Sequence, residues 1–330
     1  MIKYGFNFLW MFSWHGVGPE QVNEKEIDFI ADQGFNFVRI PTDYRYWTKE
    51  FDYFHPDEEV FKSIDSYLKA CSDRNLHMCL NLHRAPGYCI NRNDIERDNL
   101  WTDKIAQDAF IFQWETFSKR YKGVSNKLLS FDLVNEPPNI GQYAMTRDNH
   151  ADLVRRTVKA IRDIDPEREV VIDGLSGGNL AMPELADLDV IQSGRGYQPM
   201  SVSHYEAGWW ADHRGLPEPQ YPGMKWNDII WNKEALRENY KPWRDLQQMG
   251  VDVHIGEFGC YNKTPNDVAL RWFEDLLSLY KEYKWGYSLW NFSGPFGIVE
   301  HGRPGTVYED YKGLKVDRKL VDLLLENRVE

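Results

Sequence analysis

Two short stretches constrain this chain more than anything else in it. Leu128 to Val134 is a mostly apolar run that ends abruptly in Asn135-Glu136-Pro137-Pro138. A short apolar run broken by proline reads as a buried strand. Proline lacks an N–H and disfavours the α region in the residue before it, so the strand must stop there. A carboxylate is therefore held at the carboxyl end of a buried strand. The second case lies far downstream, where Val251-Asp252-Val253-His254-Ile255-Gly256 leads into Glu257-Phe258-Gly259. Either glutamate alone reads as a surface-loop carboxylate. Two in matching strand-end contexts read as a pair brought to one place.

The remaining apolar runs alternate with helical stripes. Strands are expected at Tyr4 to Phe8, Phe35 to Ile40, Leu76 to Leu82, Leu128 to Val134, Val170 to Ile172, Met200 to Tyr205, Val251 to Ile255 and Trp285 to Trp290. Between them, helical periodicity runs from Pro19 to Gly34, Asp57 to Cys71, Ile105 to Tyr121, Leu153 to Ile164, Glu234 to Met249 and Val268 to Tyr280. A last helix covers Asp317 to Leu325, and the helix after the fifth strand is short or missing. Pro242 should kink the Glu234 to Met249 helix or split it. Alternation of this kind means parallel strands with crossover helices. Eight such units in 330 residues predict an α/β fold, a single-domain (β/α)8 TIM barrel spanning residues 1–330. A doubly wound sheet would need a glycine-rich turn after the first strand, and Phe8-Leu9-Trp10-Met11 is its opposite.

In such a barrel the active site is built from residues at the carboxyl end of each strand. That rule selects Arg39, His83, Asn135, Glu136, His204, Tyr205, Glu257 and Trp290. His83, His204 and His254 share no ligand spacing, so no metal is expected. No strand-end lysine is placed for a Schiff base, and no cofactor is expected. Two carboxylates without a metal suit glycoside hydrolysis. One carboxyl group protonates the leaving oxygen, while the other attacks the anomeric carbon or activates water. Arg39 beside Glu257 would favour its charged form, and Tyr205 would donate a hydrogen bond to it. Trp290 would floor the sugar, and Asn135 would hold its 2-hydroxyl.

Charge and aromatic content narrow the partners. A formal net charge of −12 argues against nucleic acid. No apolar run is long enough to span a bilayer, so no membrane partner is expected. The N-terminus shows no leader pattern. The native compartment is then cytoplasmic if the numbering is native, or extracellular if a leader was removed. Cys71, Cys79, Cys89 and Cys260 lack a C-x-x-C spacing and read as free buried thiols. Of thirteen tryptophans, Trp10, Trp14, Trp47, Trp101, Trp209, Trp210, Trp226 and Trp231 lie in polar, loop-like context. As a set they suggest a groove lined with rings that stack on sugars.

The chain resembles the glycoside hydrolase family 5 enzymes of clan A. The resemblance rests on Arg39 in VRIP, His83 in NLHRAPG, Glu136 in LVNEPP, Glu257 in IGEFG and Trp290 in YSLWNF. It runs from the first strand to the last helix. It implies Glu136 as acid/base and Glu257 as nucleophile, with net retention, and supporting roles for Arg39, His83, Asn135, Tyr205 and Trp290. One departure concerns the His and Tyr that this family carries two apart after the sixth strand, here adjacent as His204-Tyr205. The segment from Trp290 to Ile298 also resembles a loop of the glucan-active members. The expectation is a monomeric endo-β-1,4-glucanase acting on a β-linked polysaccharide or oligosaccharide. A β-mannanase or an exo-acting β-glucosidase is the alternative within the class. A non-catalytic sugar-binding barrel would require loss of a carboxylate. A phosphate-binding barrel is opposed by Pro295 and by aromatic, acidic surroundings.

Overall fold

The computed structural model describes residues 1–329. Its strands, in chain order, begin with β1 (Tyr4–Asn7), β2 (Phe37–Asp43), β3 (His77–Arg84), β4 (Leu129–Asp132), β5 (Val170–Asp173) and β6 (Ile191–Gly196). A small hairpin comes next, β7 (Met224–Trp226) with β8 (Ile229–Trp231). The series ends with β9 (Val253–Phe258), β10 (Gly286–Leu289) and a second hairpin, β11 (Tyr308–Tyr311) with β12 (Leu314–Asp317). Eight of these close a barrel in the order β1-β10-β9-β6-β5-β4-β3-β2. Helices separate them, and the fold is the expected (β/α)8 barrel.

Two compact units make up the chain. One comprises Phe8–Gly194 and Leu246–Asp252. The other comprises Met1–Asn7, Arg195–Asp245 and the chain from Val253 onward.

In the first unit β2, β3, β4 and β5 pair in parallel. They are covered by α1 (Glu24–Asp32), α2 (Phe61–Ser72), α3 (Lys104–Arg120) and α4 (Arg147–Ile164), and the helix after β5 is the expected short one, the four-residue α5 (Leu175–Gly178). The helices enter at sequence-encoded caps. Thr146 and Asn149 form a reciprocal capping box on α4. Asn23, rather than Pro19, starts α1, its side chain accepting from the Lys25 amide. Trp47, Phe61 and Phe117 meet mutually edge-on, and Trp114 packs on Phe131 with ring centroids 5.1 Å apart. Burying each such ring contributes about 1.5–3 kcal/mol. Trp10, Trp47 and Trp101 thus belong to the core, not to a groove.

In the second unit β1, β10 and β9 pair in parallel. Phe258 of β9 is ringed by Phe273, Tyr280 and Tyr287. Phe273 and Tyr280 come from the expected apolar stripe of α9 (Asn266–Tyr283). The helix expected to break near Pro242 does so, as α7 (Lys233–Asn239) and α8 (Lys241–Gln248), with the proline in the first turn of the second piece. Trp231 is also core here, whereas Trp209 is 61% exposed.

The sixth strand is where sequence and structure part. Met200 to Tyr205 is not a strand: Met200–Ser203 forms a one-turn helix, α6, that ends at His204. The true strand reads Ile-Gln-Ser-Gly-Arg-Gly, which lacks β-branched residues after Ile191. It is buried because its polar groups are satisfied. Gln192 accepts from the Met182 amide and donates to the Met182 carbonyl. A Cβ at Gly196 would collide with the Tyr280 hydroxyl and the Phe258 side chain, so glycine is required there.

Candidate active site

Of the expected site residues, all except His204 and Tyr205 lie within a barrel strand or at its carboxyl end. They fall into two sets, one in each compact unit.

In the first unit, Arg39 sits in β2 at 1% exposure. Its Nε donates to Asp132 Oδ2 at 2.7 Å and its Nη2 to Asn135 Oδ1 at 2.9 Å, with Asp173 Oδ2 at 3.7 Å. A buried guanidinium is costly unless paired, and these acceptors pair it. Asn135 is fully buried, and its Nδ2 lies 3.4 Å from His83 Nε2. His83 in turn meets the edge of Phe12, with centroids 4.6 Å apart. Arg39, Asn135 and His83 therefore form one connected set.

Glu136 closes that set. The chain beyond β4 stays bonded to its neighbours, Leu133 N–H to Val171 and Asn135 N–H to Leu82. Glu136 then turns with φ of 47°, a left-handed conformation that L-residues avoid. Its amide donates to Asp173 Oδ2 at 3.0 Å, and the Tyr88 hydroxyl donates to its carbonyl at 2.6 Å. The carbonyls of Pro137 and Pro138 accept from Gly177 and Ser176. Backbone strain that is this heavily over-determined marks functional positions.

In the second unit, Glu257 lies in β9 at 3% exposure. The Tyr197 hydroxyl donates to its Oε2 at 3.0 Å, and Arg195 Nη2 donates to its Oε1 at 3.3 Å. The carboxylate is thus oriented by one phenol and one guanidinium. The sequence predicts Tyr205 beside Glu257. The structure places Tyr197 there instead, and Tyr205 interacts with Glu206. The reason is the position of the sixth strand: with β6 at 191–196, the residue just past its end is Tyr197. A guanidinium that the sequence reading did not name, that of Arg195, also sits on Glu257.

His204 keeps an indirect place. Its ring meets Tyr197 edge-on at 5.0 Å and Phe296 at 5.3 Å. Burial pulls its pKa down to about 4, so it packs as a neutral imidazole. Ser203 Oγ donates to the Tyr197 carbonyl at 2.5 Å and lies 2.8 Å from His204 Nδ1. His204 therefore fixes the tyrosine that holds Glu257. Trp290 comes directly after β10, half-buried, with its amide donating to the Phe258 carbonyl at 2.7 Å. A Cβ at Gly259 would come within 2.5 Å of the Trp290 carbonyl oxygen, which explains the final glycine of Gly-Glu-Phe-Gly.

Sequence reasoning missed Asp132, Asp173, Tyr88, Arg195 and Tyr197. A signal existed for the last two. Arg195 and Tyr197 stand two apart, the spacing sought at 204–205, but in a segment too polar to read as a strand.

Comparison with known proteins agrees with this architecture. The family model described as Cellulase (glycosyl hydrolase family 5) matches residues 1–295. Endoglucanase C of Acetivibrio thermocellus is 31% identical, the match covering 82% of this chain and 84% of that protein. A solved structure described as a glycoside hydrolase is 72% identical, with a TM-score of 0.99 and full coverage of both chains. The endoglucanase Cel5A structure from Thermotoga maritima superposes with a TM-score of 0.78 at 20% identity, over 98% of this chain and 96% of that one, and shows the same fold. The chain belongs to glycoside hydrolase family 5 and is a glycoside hydrolase.

Proposed function

We infer that this enzyme is a retaining endo-β-1,4-glucanase in which Glu257 is the nucleophile and Glu136 the acid/base. The observation that carries the assignment is the different way each carboxylate is held. Glu257 accepts from Arg195 and Tyr197, which aim its oxygens. An attacking anion needs such orientation, since a misdirected nucleophile loses most of the advantage of proximity. Glu136 is set by its backbone, at the end of a proline-terminated strand.

The reaction then runs in two displacements. Glu136 protonates the glycosidic oxygen while a Glu257 oxygen bonds to the anomeric carbon, giving a glycosyl-enzyme ester. Glu136, now a carboxylate, takes a proton from water as that water attacks the same carbon and expels Glu257. Asn135, held by Arg39, is the partner for the sugar 2-hydroxyl, and Trp290 is the floor for the ring. The relatedness to endoglucanase C supports β-glucan as the substrate class.

The test is reducing-sugar release from carboxymethylcellulose, barley β-glucan and mannan side by side. Proton NMR of the first product formed from an aryl β-cellobioside accompanies it. Glucan cleavage with an initial β-anomer is expected. Preference for mannan would overturn the substrate assignment, and an initial α-anomer the retaining mechanism.

A further inference from the structure

Glu96 is a carboxylate, its side chain 1% exposed, that the proposed reaction does not use. It anchors a turn. Its Oε1 accepts from Arg84 Nη1 at 2.5 Å, and its Oε2 accepts from the Gly87 amide at 3.1 Å and the Tyr44 hydroxyl at 2.9 Å. The turn is Ala85-Pro86-Gly87-Tyr88, directly after β3. Reciprocal amide-to-carbonyl bonds of 2.9 and 3.0 Å between Ala85 and Tyr88 close it. Proline second and glycine third suit a type II turn, whose third residue needs a positive φ, and Gly87 has φ of 80°. A Cβ at Gly87 would come within 2.6 Å of the Leu100 amide nitrogen. The turn is thus set by its own sequence and clamped by a buried charge.

Tyr88 leaves this turn fully buried, its ring edge-on to Trp101 with centroids 5.0 Å apart. Its hydroxyl donates to the Glu136 carbonyl at 2.6 Å. Burial pushes the phenol well above its ordinary range, so it stays protonated and remains a donor. On the other side of the same Cα, the Glu136 amide donates to Asp173 Oδ2 at 3.0 Å. The two peptides flanking a Cα fix the direction in which its side chain leaves. At Glu136 both are held, in a left-handed conformation that would otherwise relax. Losing the Tyr88 bond frees the peptide toward Pro137 and lets the carboxyl group drift.

We propose that Tyr88 is a positioning residue for the acid/base: through the main chain of Glu136 it sets where the carboxyl group meets the leaving oxygen. This rests on the reading of Glu136 as acid/base and adds to it the turn that aims it. Tyr88 acts through proton transfer, so its effect grows with the protonation a leaving group needs. Dinitrophenolate departs with little help. Phenolate, like a sugar hydroxyl, departs only with a proton.

The experiment measures kcat/KM on 2,4-dinitrophenyl and on phenyl β-cellobioside for the wild type, Tyr88→Phe and Glu96→Gln, with Glu136→Ala as reference. Circular dichroism and melting temperature confirm that each variant is folded. General acid help is worth ~10²–10⁴-fold and a misplacement of about 1 Å costs about 100-fold, so Tyr88→Phe should lower kcat/KM about tenfold on the phenyl glycoside and less than about twofold on the dinitrophenyl one. Glu96→Gln keeps the Tyr88 hydroxyl but loosens its turn, and should give the same pattern at smaller size; it carries the test if Tyr88→Phe does not fold. Equal losses on the two substrates, or no loss in folded variants, would overturn the positioning role while leaving Glu136 as the acid/base. A Glu136→Ala enzyme without the selective loss on the phenyl glycoside would overturn both.

Discussion

Replacing Tyr197 with Phe removes one hydrogen bond and little else. The ring still packs against His204 and Phe296. The loss is the donor 3.0 Å from Glu257 Oε2. Glu257 is 3% exposed, so water does not readily replace the phenol. A hydrogen bond to a charged group contributes about 1.5–3 kcal/mol, or roughly 10- to 150-fold in rate where it acts fully. Arg195 remains on Oε1, which favours the lower end of that range. The effect should fall unequally on the two steps. On the proposed mechanism, Glu257 gives up its charge in the first step to form an ester, so the phenol stabilises the starting state at least as well as the transition state. In the second, Glu257 leaves as a carboxylate, and the phenol stabilises charge that is developing. Only an interaction stronger in the transition state accelerates a step. Tyr197→Phe should therefore slow hydrolysis of the glycosyl-enzyme by about 10- to 30-fold and change its formation little. With 2,4-dinitrophenyl β-cellobioside, stopped-flow should show a burst of dinitrophenolate and then a slow steady state. Both kcat and KM should fall while kcat/KM moves little. A loss of kcat/KM equal to the loss of kcat, with no burst, would refute the reasoning.

Three further outcomes are expected. Glu136→Ala should form the glycosyl-enzyme from an activated aryl glycoside but stall at its hydrolysis, with a loss of ~10²–10⁴-fold. Azide should restore turnover and yield a β-glycosyl azide, whereas Glu257→Ala should give only the α-azide; the opposite pairing, read by NMR, would reverse the roles. Trp290→Ala should lower turnover on polymer by at least roughly tenfold with the barrel folded, since a displaced ring loses positional advantage; wild-type kinetics would make Trp290 a packing residue only. Burial holds the pKa of His150, inside α4, down to about 4 from an ordinary value of 6.5. Its folded pKa is depressed, so its neutral form contributes stability that is complete above about pH 6.5 and lost as pH falls toward 4. Melting temperatures of His150→Phe and wild type should therefore converge or cross between pH 7 and 4.5, and parallel curves would contradict this.

The sequence made legible those parts of the barrel whose strands carry their own signal. Val38 and Ile40, Leu80 and Leu82, and Phe131 to Val134 lie in apolar runs that only a buried strand explains, and so Arg39, His83, Asn135 and Glu136 stand out at their ends. Glu257 stands out the same way, after Val253 and Ile255. The sixth strand carries no such signal. Its burial depends on Gln192 meeting Met182 and on Gly196 fitting beneath Tyr280, which are tertiary facts. The apolar residues at 200 and 202 offer a better local pattern, and a search for a strand-end tyrosine then stops at Tyr205 instead of Tyr197. The tryptophans mislead for a related reason. Trp47 and Trp101 sit among polar neighbours in sequence, but their partners Phe61, Phe117 and Tyr88 come from elsewhere in the chain.

His204 shows how a wrong placement can still name a useful residue. Chosen as a strand-end side chain, it is instead the cap of a one-turn helix, neutral and buried behind Tyr197. The same turn presents Ser203 to the Tyr197 carbonyl, so backbone and ring of the tyrosine are both fixed from α6. A phenol held at two points can meet Glu257 without paying for its own ordering each cycle. This makes the support around Glu257 hierarchical: α6 fixes Tyr197, Tyr197 and Arg195 orient the carboxylate, and Gly259 lets the chain carrying Trp290 pass close behind it. Glu136 depends on a different hierarchy, in which Asp173 and Tyr88 hold a strained backbone turn and two prolines end the strand. Substitutions in the first set should act through the orientation of a side chain. Those in the second should act through the position of the main chain, and so should be harder to rescue by restoring a single donor.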